Sequence, residues 1–505
     1  MVTFLFGIFF FGLSLYLYLT WNFDYWKRRG VVGPRPRPYV GTFPKTALMD
    51  KNSNYISETS EIFRKYYRKH RFIGIFEYRE PKLMILDPAL TVDIYVKYFK
   101  HFADNTMSET VFAKQDPLFK PNPFIATGSE WKERRTDLAP AFTMLRVKGM
   151  YPVIEDSCQR LVSYINDLIE SGQSIIASKN IACRVTANSL CSNMYGLDAK
   201  AFDDHSDFVE NSLRMFEQVP TFRTILWTIF PVLNKLFPNR SVSKEFNEWF
   251  IGLYKMAVEL RSKNNIQRDD YLNLLMDLQK KKNMSVTSSA ANAFVFFLDG
   301  FETTSYILGS AINELAKNKN CQEKLRAEVK SSKSRGFDDL NQLPYLDAVV
   351  NGNLMGRGRK VKKTTRVSPF PFPIWKTCTE NIELTDLDGR VVLIEKGTKI
   401  ILPTTAMHQH PDYYHDPDKF NPERFTTGAG DPKTLKDAGV FNPFGNGPRI
   451  CMGMRWAICN IKAVLCTLVD NFEFSVRVTE EKPSTITGML FFSNNTTQLE
   501  FKRLQ

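Results

Sequence analysis

Phe441-Asn442-Pro443-Phe444-Gly445-Asn446-Gly447-Pro448-Arg449-Ile450-Cys451-Met452-Gly453 is the stretch on which the reading of this chain turns. Gly445 and Gly447 permit backbone angles that a side chain forbids, so the segment is able to lie flat against something large and planar. Pro443 and Pro448 stiffen it. An apolar helical pattern follows, about Met454 to Val469, and places Cys451 just before a helix N-terminus. The positive end of that helix and its free N–H groups favour thiolate over thiol. A thiolate held this way is an iron ligand, and Arg449 is placed to meet an anionic group on the same cofactor. Two plainer readings compete. A lone Cys is more often a small buried hydrophobe, and Gly445-x-Gly447 alone is a weak phosphate-loop signal. Neither accounts for the whole spacing.

That spacing, Phe444-x-x-Gly447-x-Arg449-x-Cys451-x-Gly453, resembles the haem-binding loop of the cytochromes P450, haem-thiolate monooxygenases, and is closest to their insect-type microsomal members. As a ten-residue motif it is highly specific. The resemblance implies a mainly α cytochrome P450 fold with small β-sheets, and haem b (iron-protoporphyrin IX) with Cys451 as axial thiolate. Phe444, Gly447, Arg449 and Gly453 then belong to the loop that holds it. Trp131 and Arg135, in Trp131-Lys132-Glu133-Arg134-Arg135, share one helix face at i,i+4. On their own they read as a surface cation–π pair; in the family a Trp-x-x-x-Arg here contacts a haem propionate. Lys376 stands where the family usually has a propionate-binding Arg, a single-point cation in place of a bidentate one.

The chain has 505 residues, 43% of them hydrophobic, ample for a large core, and length alone suggests two or three domains. The resemblance runs from Gly33 to the C-terminus, and in motif order it takes in the N-terminal segment too. It implies one catalytic domain instead. A formal charge of +13 suggests an acidic partner or an anionic membrane surface. Nucleic acid is excluded for want of zinc-finger spacing or basic residues interleaved with aromatics. Eight cysteines are scattered without paired spacing, as in a reduced compartment.

No charged side chain occurs from Met1 to Phe23, and Val2–Trp21 is long enough to span a bilayer. Trp21, Phe23, Tyr25 and Trp26 read as an interfacial aromatic belt before Lys27-Arg28-Arg29. The basic cluster follows the apolar run and no small-x-small site occurs, so the segment reads as an uncleaved anchor and not a signal peptide. Residues 1–23 are therefore the expected transmembrane anchor. Residues 24–44, with Gly33-Pro34-Arg35-Pro36-Arg37-Pro38, are a stiff proline-rich hinge, and 45–505 are the catalytic domain. The positive-inside rule puts that domain in the cytosol, on the endoplasmic reticulum if the microsomal resemblance holds.

Periodicity predicts helices over 56–69, 89–98, 153–170 and 182–194, a small antiparallel sheet over 72–85 with its turn near 79–82, and a long loop over 102–127. The apolar stretch 202–245 is either a roof over a lipophilic pocket or plain core. Asp270 is the expected N-cap of the next helix, which ends in Lys280-Lys281-Lys282.

Residues 290–317 read as one long buried helix with an odd centre, Leu298-Asp299-Gly300-Phe301-Glu302-Thr303-Thr304-Ser305. Acids and hydroxyls there are expensive unless they do something. Gly300 removes a side chain that would block a ligand, and Asp299 and Thr303 stack at i,i+4. The segment resembles the family's oxygen-activating step. By position, Thr303 then orients dioxygen and water, and Glu302 helps deliver protons. Asp299 departs from the small apolar residue common there. It is a second relay acid or a solvated residue, and its place beside Thr303 favours the relay.

One region does not fit. The family carries Glu-x-x-Arg on a helix, then Pro-Glu-Arg-Phe, here Pro422-Glu423-Arg424-Phe425. Skipping 352–362 joins Asn351 to Lys363-Thr364-Thr365-Arg366, where the family reads Asn-Glu-Thr-Leu-Arg. Arg366 becomes the helix arginine and Lys363 replaces its glutamate. Arg366 and Arg424 are then left without the carboxylate that neutralises both, a cost of several kcal/mol in a core. The extra residues read as a sequence artefact, a genuine loop with Glu423 substituting, or the mark of an impaired protein.

His408, His410 and His415 match no standard zinc spacing and read as a turn. Phe370, Phe372, Ile374 and Met489-Leu490-Phe491 resemble pocket-lining segments of the family. The implied function is insertion of one oxygen atom of O2 into a small lipophilic hormone, lipid or xenobiotic. Electrons would come from NADPH through a membrane-bound reductase docking on a basic face, with cytochrome b5 as a second donor. The rivals are a haem-thiolate isomerase or dehydratase, and an impaired or non-catalytic haem-binding membrane protein.

Overall fold

Nineteen residues without a charge form the first helix, α1 (Val2–Thr20), whose side chains are mostly exposed. Its Thr3–Thr20 window is long and apolar enough to cross a membrane. The computed structural model describes residues 2–47, 55–109, 116–216, 242–265, 268, 270–332, 334–355, 358–359, 366–367, 373–426, 428–479 and 497–504. Most of the 202–245 stretch, Lys363, Phe370, Phe372 and Met489-Leu490-Phe491 lie outside the described residues.

After α1 the chain departs from an interfacial belt and a free hinge. Trp26 is 3% exposed, and its Nε1 donates to the Ile75 carbonyl at 3.2 Å. A Cβ on Gly74 would lie 2.2 Å from the indole, so that glycine admits the ring. Phe23 lies edge-on to Phe76, and Arg29 pairs with Glu395 at 2.6 Å. A large ring with one donor is better satisfied against a strand carbonyl than at a water interface. Segment 24–44 therefore binds along the sheet.

In chain order come α2 (Tyr55–Tyr66), β1 (Phe72–Glu77) and β2 (Glu80–Ile85). The β1–β2 turn at Tyr78-Arg79 is tighter than the predicted one, with Tyr78 at φ +55°. Helix α3 (Pro88–Tyr95) starts where Asp87 accepts from the Ala89 N–H and proline fills the first position. The predicted long loop contains a strand, β3 (Asp104–Asn105), too short for a period to reveal. Next are α4 (Gly128–Leu138), α5 (Met144–Glu170), β4 (Ile175–Ala177), α6 (Ser178–Tyr195) and α7 (Asp207–Phe216). The helix predicted over 153–170 starts earlier, at Met144, and Pro152 lies inside it.

Then follow α8 (Lys244–Lys263), α9 (Tyr271–Lys281), α10 (Val286–Lys317), α11 (Lys319–Ser331) and α12 (Pro344–Met355). Asp270 caps α9 as expected, its carboxylate accepting from the Asn273 N–H at 3.1 Å. Lys282, the last of the basic run that ends this helix, bridges to Glu133 and Asp137 of α4, each at 2.7 Å. The remaining elements are β5 (Gly358–Arg359), β6 (Arg366–Val367), β7 (Ile374–Thr377), β8 (Ile382–Thr385), β9 (Val391–Ile394), β10 (Lys399–Leu402), α13 (Thr404–His408), α14 (Met454–Asn471), β11 (Phe472–Thr479) and β12 (Thr497–Arg503).

One sheet has the order β1-β2-β10-β7-β3, with β10 parallel to β2 and the other pairs antiparallel. A second is β11-β12-β4, and β5–β6 and β8–β9 are hairpins. The axis of the body is α10, capped by Ser285 and buried along most of its length against α6, α8, α9, α12 and α14. Its all-round apolar sequence is what lets helices surround it.

Candidate active site

The loop before α14 takes its shape from two left-handed glycines, Gly445 at φ +72° and Gly447 at φ +65°. A Cβ on Gly447 would come within 2.1 Å of the Tyr95 carbonyl, so the loop touches the end of α3 only because that residue is glycine. The Cys451 N–H donates to the Phe444 carbonyl at 3.0 Å and folds the loop back on itself. Gly453 precedes the first turn of α14. Cys451 is accessible yet deeply set, and its titration follows the depth: burial pushes the thiol up to about 11. The Gly453 and Met454 N–H groups and Arg135 hold it down, and Asp299 raises it further. In the metal-free chain burial thus outweighs the helix-end preference for thiolate. A coordinating cation reverses that balance.

Arg135 donates to the Ile450 carbonyl at 2.6 Å, holding the peptide next to Cys451. Trp131 stacks with Arg449 at 4.4 Å, which replaces the Trp131–Arg135 pair expected from spacing. Arg449 is largely committed to protein. It donates to Ala103, Pro123 and Ala126 carbonyls at 2.6, 2.9 and 3.0 Å and pairs with Asp104 at 3.0 Å. Lys376 on β7 is 1% exposed and makes a long 3.4 Å contact to Asn105 Oδ1. Burial, and then Arg449, push its pKa down to about 7, while Asp104 pulls it up. Arg449 and Lys376 thus share one acid, Asp104, while Arg135 lies beside Cys451. A buried excess of cations beside a deep cysteine fits a flat ligand carrying carboxylates.

Across from the loop, α10 separates its two acids. Asp299 sits on the face towards Cys451. Both its oxygens accept from Asn122 Nδ2 at 3.3 Å, and burial pushes its carboxyl up to about 7. The Thr303 hydroxyl donates to the Asp299 carbonyl, the back-bond of a hydroxyl inside a helix. Glu302 is 3% exposed and faces Lys179 and Cys183 of α6; burial raises its carboxyl and Lys179 partly lowers it. Gly300 is not simply a gap for a ligand, since a Cβ there would meet Leu190 of α6 at 3.3 Å and the Phe296 ring at 3.4 Å. Its missing side chain lets α6 and α10 approach. Asn122 and Asp104 were hidden in the stretch read as loop. The Pro121-Asn122-Pro123 turn was the available signal, and Asn122 Oδ1 closes it by accepting from Phe124 N at 2.7 Å.

Behind the loop the register differs from the one predicted. Helix α12 runs through Met355, with Gly352, Asn353, Leu354 and Met355 buried and Asn353 Nδ2 donating to the Ile307 carbonyl at 2.8 Å. Arg366 lies in β6, paired with Arg359, so it is not the helix arginine. Without a gap, Asn351-Gly352-Asn353-Leu354-Met355 occupies the Asn-Glu-Thr-Leu-Arg positions, and the extra residues follow Met355. Arg424 meets Met355 Sδ at 3.2 Å and the His415 and Asp416 carbonyls at 2.7 and 2.9 Å. Glu423 does not substitute for the missing acid; it pairs with Lys324. His408 is buried and its pKa is pushed down to about 3 by that burial. Its Nε2 accepts from Asn442 N at 3.0 Å. The other ring nitrogen is turned to the Leu354 and Met355 backbone, short of a well-formed hydrogen bond. The histidines read as a turn are divided: His408 ends helix α13, and His410 and His415 follow it outside any helix or strand.

The loop, its cation ring and the long helix opposite have counterparts in known proteins. The sequence profile described as Cytochrome P450 matches residues 31–501. The chain is 35% identical to the Probable cytochrome P450 28a5 of Drosophila melanogaster over 92% of its own length and 91% of the relative's. It is 33% identical to the Probable cytochrome P450 309a1 of the same fly over 97% and 96%, and 30% identical to Cytochrome P450 6A1 of Musca domestica over 92% and 90%. A profile spanning nearly the whole folded body, together with relatives matched end to end, places this chain in the cytochrome P450 family, enzymes that hold haem through a cysteine thiolate.

Proposed function

We propose that this monooxygenase acts on small lipophilic compounds, draws its electrons from NADPH through a membrane-bound reductase, and is held on the endoplasmic reticulum by α1 with residues 45–505 in the cytosol. The observation that carries the site assignment is Cys451 just before α14, with Arg135 and Asp299 near it and the buried pair Arg449 and Lys376 sharing Asp104. Cys451 would ligate the iron, and Lys376 and Arg449 would take the propionates. Arg135 would fix the ligating peptide through Ile450, and Trp131 would support Arg449 from below. When bound, haem supplies the activation of dioxygen, with the thiolate favouring O–O cleavage.

The chain's own residues do the rest. The Thr303 hydroxyl orients a small polar guest beside the Asp299 face. Asp299, whose carboxyl titrates near neutrality, is able both to hold and to release a proton. Glu302, its carboxyl raised by burial and partly lowered by Lys179, is the second acid, on the α6 side of the helix. The buried phenylalanines of α10 exclude water from the space between.

The test is the spectrum of dithionite-reduced protein under CO. A red-shifted Soret band is expected; well-folded protein that takes up haem without it overturns the assignment of Cys451. A second reading, an impaired enzyme, is favoured by Gly352 and Met355 at the Glu-x-x-Arg positions. Protein with the band that consumes no NADPH in the presence of reductase would support it.

A further inference from the structure

We propose that Asp299, held by Asn122, is a cation-recognition point in the substrate site, and that the enzyme favours lipophilic substrates carrying a permanent or protonated ammonium group. This rests on the monooxygenase reading of the same site. The first observation is position. Asp299 lies midway along α10, between the buried Phe297, Leu298 and Phe301, yet is itself accessible. Its carboxyl thus opens onto space inside the protein, and that space lies on the Cys451 side of the helix.

The second observation is what holds the carboxyl. Both oxygens share one donor, Asn122 Nδ2, at 3.3 Å, a long and bifurcated contact that leaves lone pairs on each. Among the described residues no Lys, Arg or His forms an ion pair with it. The cations of the site are engaged elsewhere: Arg449 with Asp104, Arg135 with the Ile450 carbonyl, Lys376 with Asn105. The third observation concerns its neighbours on the helix. The Thr303 hydroxyl is spent on the Asp299 backbone carbonyl, and Glu302 faces α6, so neither engages the carboxyl. One turn earlier on the same face stands buried Val295. A carboxyl with one weak donor, no cation and apolar flanks is complementary to a cation on an apolar body. Proton relay by the same group is compatible with this, since recognition and proton transfer use it at different moments.

The experiment is equilibrium dialysis of full-length, haem-loaded protein in lipid nanodiscs, with empty nanodiscs as blank. The probes are 4-phenylbutyltrimethylammonium, which cannot ligate iron, and its neutral tert-butyl isostere. Wild type should bind the cation about tenfold or more tightly than the isostere, as a charge pair near a protein surface allows. Asp299→Asn should bring the ratio to about one while leaving isostere binding within about twofold. Asp299→Glu should retain the preference. If the amide variant loses haem, Asp299→Ala takes its place with the same expectation. Equal binding of the two probes by wild type overturns the proposal, as does a ratio that the neutral variants leave intact. The CO band is recorded on the same samples. A band without cation preference overturns this inference alone, and a missing band overturns the haem-thiolate assignment.

Discussion

The loop Phe441–Gly453 and the end of α12, Gly352–Met355, are neighbours bridged by His408, yet they have met opposite fates. The loop keeps each group its chemistry requires: two left-handed glycines, a cysteine at a helix start, an arginine on an acid. Where the resemblance implies a glutamate and an arginine, the helix end carries Gly352 and Met355 and is helical and buried. The difference shows what each region does. A ligand-holding loop depends on the identity of single atoms. A brace depends on filled volume and satisfied donors, and more than one side chain supplies these. Arg424 is given two carbonyls and a soft sulfur where the family pattern has a carboxylate. Replacing a buried ion pair by neutral packing often costs little, whereas removing only one member costs 3–5 kcal/mol.

The largest expected effect lies on the loop. Cys451→Ala should abolish the red-shifted CO band and the monooxygenase activity while leaving far-ultraviolet circular dichroism unchanged. A variant that keeps the band would place the ligand elsewhere. Next comes the helix end. Met355→Arg puts a second guanidinium beside Arg424 and should cost roughly 3 kcal/mol in denaturant unfolding, the price of an uncompensated buried charge. Adding Gly352→Glu should recover about 1 kcal/mol or more, since its Cβ meets only ordinary contacts, the nearest being the Phe420 ring at 3.4 Å. A double variant no better than the single would show that these positions do not form the pair. Deleting residues 352–362, attractive on the sequence register, would instead remove the last buried turn of α12 and should prevent folding.

His408 joins the two regions, so it sharpens the contrast at lower amplitude. His408→Leu keeps the volume against Phe441 but leaves the Asn442 N–H without its acceptor, which should cost about 2 kcal/mol. Because burial keeps the imidazole neutral in the fold while the unfolded chain binds a proton near its ordinary pKa, that cost should be full at pH 8 and shrink as pH falls towards 5. A cost that stays constant or grows on acidification would mean that His408 titrates in the fold and is not buried as described.

The same contrast separates what the sequence showed from what it hid. Cys451, Arg449 and the glycines stand within ten residues of one another, so their spacing alone carries their geometry. The α10 step was legible for the same reason, although the partition of Asp299 and Glu302 to different faces required knowing which helices flank it. The α12 register was not legible. The motif is four residues long, and eleven extra residues allow two placements that differ only in which end of the gap stays helical. Burial decides between them, and burial depends on Ile307 and Phe420, far away in the chain. Trp26 misled for a related reason. Its neighbours form a plausible interfacial belt, and only Gly74, on a strand, shows that the ring has a place inside. Asn122 lay in a loop-like run whose function became visible only opposite Asp299.

The smallest expected effect tests the distal face against the loop through pH. Asp299 has its carboxyl raised to about 7, chiefly by burial and against the pull of Asn122, from an ordinary value near 4. Between those values the folded protein holds a proton that the unfolded chain has released. The stability this group contributes is therefore complete at about pH 4 and is lost as pH rises through 7. Asp299→Asn removes the titration and keeps the shape. Its melting temperature should match that of wild type near pH 4, overtake it progressively towards pH 7, and hold a constant lead above about pH 8. Much of the group is accessible, so solvent screening keeps the lead small. Cys451, with its thiol near 11, ionises outside this window in the metal-free chain, and a bound metal would keep it ionised throughout. A pH-dependent difference between the two proteins over this range therefore belongs to Asp299, and a lead that is flat from pH 4 to pH 8 would mean that its carboxyl is ionised throughout.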